Sequence, residues 1–151
     1  MYEPIFVANN IIKKAFCENI AITPMKLQKI LYFLYRDYLK ENNAPLFAER
    51  FMTWQYGPVL LSVYQEFKNF GASAINIPGR INGQALLVDE NKDIRFKKVF
   101  DSVWSKCKNL TAIELSRLTH SPNGAWDKAY QAGKPLLLDS DIANDKTEVI
   151  A

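Results

Sequence analysis

The 151 residues contain a single histidine, two cysteines and six glycines. These scarcities exclude several chemistries. With His120 alone, no mechanism that needs two imidazoles and no multi-histidine zinc site can be assembled within one chain. Cys17 and Cys107 are too far apart for a metal knuckle and too few for a disulfide framework, so both are expected as buried thiols. No metal or other cofactor is implied. The glycines are scattered, and no glycine-rich loop leads into a Lys-Ser or Lys-Thr pair, so a phosphate cradle is not encoded. No apolar run reaches the roughly 18 residues needed to cross a bilayer. The N-terminus lacks a basic stretch followed by an apolar one, and the expectation is a cytoplasmic protein. A net charge of +3, from 19 basic and 16 acidic residues, gives no support to a dedicated nucleic-acid binder.

What is present is helical periodicity. Ile5, Ala8, Ile11, Ile12, Ala15 and Phe16 recur at helical spacing after Pro4, predicting a helix to about Glu18 with Asn9, Asn10, Lys13 and Lys14 facing water. Thr23 and Pro24 predict a capped second helix over about 24–41, its stripe formed by Leu27, Ile30, Leu31, Leu34, Tyr38 and Leu39. Tyr32, Phe33 and Tyr35 extend the apolar surface around its circumference, which places it at the centre of the domain. Phe51, Thr53 and Trp54 predict a short extended segment ending at Tyr56–Gly57, and Pro58 a third helix through Val63, Tyr64 and Phe67.

Between 74 and 88 the helical period disappears, and Asn82–Gly83 between apolar runs predicts a small β-hairpin. Helical spacing returns over 92–108. Thr111 with Glu114 forms a capping box for a fifth helix to about His120, and 125–131 reads as a sixth. The fold class is therefore α+β, predominantly α-helical: five or six helices around the central helix, with a β-hairpin element at about 74–88. Residues 1–138 form the domain, and 139–151 read as a polar, acidic, weakly ordered tail.

No catalytic constellation emerges. His120 and Ser121 are sequence neighbours that point in different directions. Asp139 and Asp141 lie in the expected tail, where water levels their pKa values. The run Arg95, Lys97, Lys98 reads as a solvated helix face. The unusual feature is aromatic content, 13% of the chain, dense around Tyr32, Phe33, Tyr35, Tyr38, Trp54, Tyr56 and Tyr64. Aromatic residues fill cores and anchor interfaces alike.

Three segments carry a family resemblance: TPMKLQKILY at 23–32; Pro45-Leu46-Phe47 with Trp54-Gln55-Tyr56-Gly57-Pro58-Val59 and Tyr64; and Leu115-Ser116, Leu118-Thr119-His120, Gly124 and Trp126. Together they resemble the Panacea (SocA-like, GepA-like) antitoxin domain. Thr53 stands where that pattern commonly has alanine, and Ala125 where it has proline. The resemblance implies an antitoxin of a toxin–antitoxin system, of a kind also found in prophages and mobile elements, that neutralises a cognate toxin by direct protein–protein contact. One branch of the family acts as a proteolytic adaptor delivering its toxin to an ATP-dependent protease. The toxin is expected from the adjacent gene.

Thr23, Pro24, Leu27, Gln28, Leu31, Trp54, Gly57, Pro58, Val59, Tyr64, Leu118, His120 and Trp126 are expected to shape the fold. Gln28 is suited to satisfying backbone groups near the Trp54–Gly57 turn. Lys26, Lys29, Tyr32, Tyr35 and Tyr56 are the expected partner contacts, with the lysines facing an acidic toxin and the tyrosines at a domain edge. The competing class is a mobile-element enzyme acting on nucleic acid or nucleotides through His120 and acidic partners.

Overall fold

The computed structural model describes residues 1–150. The elements are α1 (Pro4–Cys17), α2 (Pro24–Asn42), β1 (Met52–Trp54), β2 (Gly57–Val59), α3 (Leu61–Phe67), α4 (Ile94–Cys107), α5 (Ala112–Thr119), α6 (Ala125–Gln131) and α7 (Asp139–Ala143), with a 3₁₀ turn at Lys68–Phe70. The architecture is helical α+β with one small antiparallel sheet.

Helix α2 is the axis. The Thr23 hydroxyl accepts from the Lys26 N–H, Pro24 sits in the first turn, and Asn43 closes the helix in the left-handed region at φ 50°. Every residue from Lys26 to Arg36 is buried, because α1, α3, α4, α5, α7 and β2 all pack against this helix. The surplus aromatic surface is absorbed internally: Tyr35 packs on Phe47 at 4.8 Å and Tyr32 meets Phe51 edge-on at 5.5 Å. Helix α5 opens with the expected capping box between Thr111 and Glu114.

The sheet lies elsewhere than expected. Asn82 and Gly83 do form a two-residue turn, both with positive φ (51° and 77°), but only one bridge, Ile81 to Gln84, forms around it. Two side chains of α1 take the backbone groups that a ladder would have used. Asn9 bonds the Gly79 N–H and the carbonyls of Gly79 and Leu86, and Asn10 bonds both the N–H and the carbonyl of Val88. Asn9 and Asn10 are therefore buried, not water-facing.

The paired strands are β1 and β2, in register Met52–Val59, Thr53–Pro58 and Trp54–Gly57. Pro58, expected to open the third helix, lies instead in β2 with Gly57, and α3 begins at Leu61. Pro58 is tolerated because it stands opposite Thr53, whose own N–H bonds outward to the Pro135 carbonyl.

Two further expectations are corrected. Cys107 is buried but Cys17 is exposed, as is Phe16, at the end of α1 with 84% of its surface free. The polar C-terminal segment forms α7 and a packed strap: Asp145 is buried, accepting at 2.5 Å from the Tyr32 hydroxyl and at 3.0 Å from the Thr147 N–H. Arg36 donates to the Thr147 carbonyl at 2.5 Å. Burial alone would raise the Asp145 pKa, but those hydrogen bonds and the Arg36 charge outweigh it and hold the carboxyl below its ordinary value.

Candidate partner-binding site

The two-residue link Gln55–Tyr56 between β1 and β2 is an exposed turn held by side chains from several helices. A tight hairpin turn leaves its carbonyls with few local donors, and here each is met by a side chain from a helix. Trp126 Nε1 donates to the Trp54 carbonyl at 2.7 Å, and Ser116 Oγ to that of Tyr56 at 2.9 Å. His120 Nε2 faces the Gln55 carbonyl at 3.1 Å while its Nδ1 faces the Ser116 carbonyl at 2.6 Å. Lys29 Nζ donates to the Pro58 carbonyl at 3.1 Å. The Gln28 amide makes a two-way bond with Leu60, donating to its carbonyl at 3.0 Å and accepting from its N–H at 2.9 Å. Carbonyls 54, 56, 58 and 60 are thus tied to α2, α5 and α6, and that of Gln55 faces the His120 ring at the end of α5.

Gly57 makes the closeness of these supports affordable only to glycine. Its φ is +114°, and a Cβ there would lie 2.9 Å from Thr119 Oγ1 and 3.0 Å from Lys29 Nζ. Aromatic packing completes the cradle. Trp54 meets Tyr64 at 4.8 Å, and Trp126 lies between the His120 ring at 4.0 Å and Tyr130 at 4.5 Å.

Of the expected contact residues, Tyr56 alone is exposed, at 65%. Lys29 is 1% exposed, and desolvation lowers its pKa to about 7. Lys26 donates inward to the Lys108 carbonyl at 2.6 Å, and burial likewise lowers its pKa. Tyr32 is committed to Asp145, and Tyr35 donates to Asp139 at 2.8 Å. All four are buried, so none of their side chains is presented to a partner. Exposed side chains on the elements that hold this turn include Gln55 itself, Tyr64, which packs on Trp54, and Ile113, one turn before Ser116 on α5.

A family model described as antitoxin SocA-like, Panacea domain, matches residues 27–127. The chain belongs to this Panacea antitoxin family. Antitoxin SocA of Caulobacter vibrioides (strain NA1000 / CB15N) is 30% identical over 125 residues, covering 80% of this chain and 66% of that protein. The chain thus spans just under two thirds of the length of this curated relative. No solved structure matches the chain.

The three Panacea segments converge on the hairpin. The first supplies the α2 cap Thr23, Pro24, the buried Leu27 and Leu31, and the donors Gln28 and Lys29. The second is the hairpin itself, with Val59 buried and Tyr64 against Trp54. The third supplies His120 and Trp126, with Leu118 half-buried against the core. Sequence reasoning placed Gln28 beside this turn but missed Lys29 as an internal donor. It also gave no role to Ser116 or Thr119, although a serine and a threonine one turn apart on a helix that ends in histidine mark a hydrogen-bonding face.

Both ring nitrogens of His120 face backbone carbonyls, and a neutral ring donates to one of them only. The ring's edge-on partner is Trp126, and no carboxylate is hydrogen-bonded to it among the described residues. Membership of an antitoxin family likewise points away from an enzymatic role.

Proposed function

We propose that this protein is the antitoxin of a toxin–antitoxin pair and silences its toxin by direct contact through the Gln55–Tyr56 turn. The observation that carries this reading is a tyrosine 65% exposed on a turn whose flanking carbonyls, those of Trp54 and Tyr56, are each tied by a helix side chain. An aromatic side chain on a backbone already ordered loses little conformational entropy on binding, and tyrosine anchors dominate protein interfaces. The helical supports contribute the rigidity, and Tyr64 and Ile113 the apolar margin.

The partner in this reading is the cognate toxin, encoded by the adjacent gene and met in the cytoplasm. No helix of the described residues is long and apolar enough to cross a membrane. Blocking by contact, rather than delivery to an ATP-dependent protease, is the outcome we favour, since a rigid anchor suffices for it.

Co-expression with the adjacent gene's product tests the proposal. Growth should be rescued by the parent protein and not by Tyr56→Ala, with toxin abundance on an immunoblot unchanged. Loss of toxin upon rescue would replace blocking with degradation. Full protection by Tyr56→Ala would place the interface elsewhere.

A further inference from the structure

A second surface, independent of the antitoxin reading, lies at the other end of the chain's hydrogen-bonding scheme. A groove of about 750 Å³ runs between the end of α1, the segment 74–78 and the segment carrying Ala85 and Leu87. Its volume falls within the roughly 300–1,000 Å³ of sites that enclose ligands. Ile12, Ile20, Ile77 and Leu87 supply its apolar lining, and Lys13 is the one charged side chain there. Phe16, Ile77 and Leu87 are 84%, 58% and 40% exposed, a cluster that a solvated surface does not need.

The backbone along the groove is only half used. Leu86 and Val88 are held on the α1 side by Asn9 and Asn10, and Ile75 donates to the Ile22 carbonyl at 2.8 Å. An extended chain sends the groups of alternate residues to opposite edges. Those of Ala85 and Leu87, together with Ala74 and Asn76, have no hydrogen-bond partner within the protein among the described residues, and all four residues line the groove. Such an edge is a template for an added strand.

We propose that this groove binds an extended segment of another polypeptide as an added strand, apolar at alternate positions and carrying a carboxylate toward Lys13. The open backbone edge selects a peptide over a simple apolar molecule, because only a peptide returns donors and acceptors at strand spacing. Lys13 sets the sign of the charge. It has no carboxylate within 4.0 Å among the described residues, so an acidic group on the incoming segment would be its only close counter-ion.

The test pans the intact protein against phage-displayed random dodecapeptides, then titrates the selected peptides against protein carrying an environment-sensitive maleimide dye on exposed Cys17. Selected peptides should alternate aliphatic residues and carry an acidic side chain or free C-terminal carboxylate. Leu87→Lys, checked for folding by circular dichroism, should weaken binding about tenfold or more, as should N-methylation of alternate peptide amides. Lys13→Glu should reverse the charge preference. Tyr56→Ala should bind the peptides like the parent, which keeps this result separate from the antitoxin reading. The proposal is overturned if no peptide is enriched, if Leu87→Lys or N-methylation leaves affinity unchanged, or if the charge preference survives Lys13→Glu. It is also overturned if sedimentation shows a dimer of this chain that Leu87→Lys dissolves, since the groove would then be filled by a second copy.

Discussion

Lys29 should give the protein a stability that rises with pH across the neutral range. Its amine is enclosed with the Pro58 carbonyl as its hydrogen-bond partner, and desolvation brings its pKa from the ordinary 10.5 to about 7. Between those two values the unfolded chain holds a proton that the folded chain has released. Unfolding then takes up about one proton, and the unfolding free energy rises with pH by up to about 1.4 kcal/mol per unit. Below about 7 the penalty of housing the charge is fully present; as pH rises toward 10.5 it is relieved. Integrated from pH 7 to 9, the gain is about 2 kcal/mol. Lys29→Met removes the titration while keeping most of the volume. Urea unfolding followed by tryptophan fluorescence at pH 6, 7, 8 and 9 should therefore show the parent gaining about 2 kcal/mol on the variant between pH 7 and 9, and little between 6 and 7. Subtracting the variant's curve cancels the other titrating groups. Parallel curves would refute the reasoning, because they would mean that water or a counter-ion reaches the amine.

Trp126→Phe should cost about 0.5–1.5 kcal/mol by removing the indole's bond to the Trp54 carbonyl, and Trp126→Ala about 3–5 kcal/mol by emptying the site, both read from urea midpoints. Tyr56→Ala should stay within about 0.5 kcal/mol of the parent in the same assay. A thiol reagent should modify one cysteine rapidly in the native protein and two in urea, since Cys17 is exposed while burial pushes the Cys107 thiol up to about 12. The C-terminal strap should loosen on acidification: the Asp145 carboxyl is held below its ordinary value, so its contribution is present above that value and lost as pH falls through the folded one. Asp145→Asn should abolish that acid-induced step in hydrogen exchange of the Thr147 amide.

Pattern alone located most of the helices, because their signals are local. The Thr23–Pro24 start of α2, its apolar circumference and the Thr111–Glu114 capping box each involve residues within a few positions of one another. What eluded the pattern is set by partners far along the chain. Lys29 reads as a solvent-facing lysine until the Pro58 carbonyl, 29 residues away, closes over it. Asn9 and Asn10 look like the wet face of α1 but spend their amides on a segment 70 to 78 residues on. The same two asparagines explain the hairpin that did not form. The Asn82–Gly83 turn obeyed its local preference, while the ladder lost its backbone groups at Gly79, Leu86 and Val88 to α1. The acidic composition of 139–150 resembled a solvated tail because nothing nearby announces that Tyr32 and Arg36 await Asp145.

The Panacea segments become intelligible on the same principle. A two-residue turn with glycine and proline on its far side is not held rigid by its own few bonds. The carbonyls of Trp54, Tyr56, Pro58 and Leu60 are received by Trp126, Ser116, Lys29 and Gln28, which come from three different helices. That division explains why polar residues of the motif, which look like surface contacts, are internal. It also separates the donors from the exposed positions: Lys29 and Gln28 are buried, whereas Gln55, Tyr56, Tyr64 and Ile113 are exposed. Substitutions at the exposed positions change what the turn meets without removing a single tie to its carbonyls. Substitutions of the donors change where Tyr56 stands, and so should impair partner binding even though their side chains meet no partner.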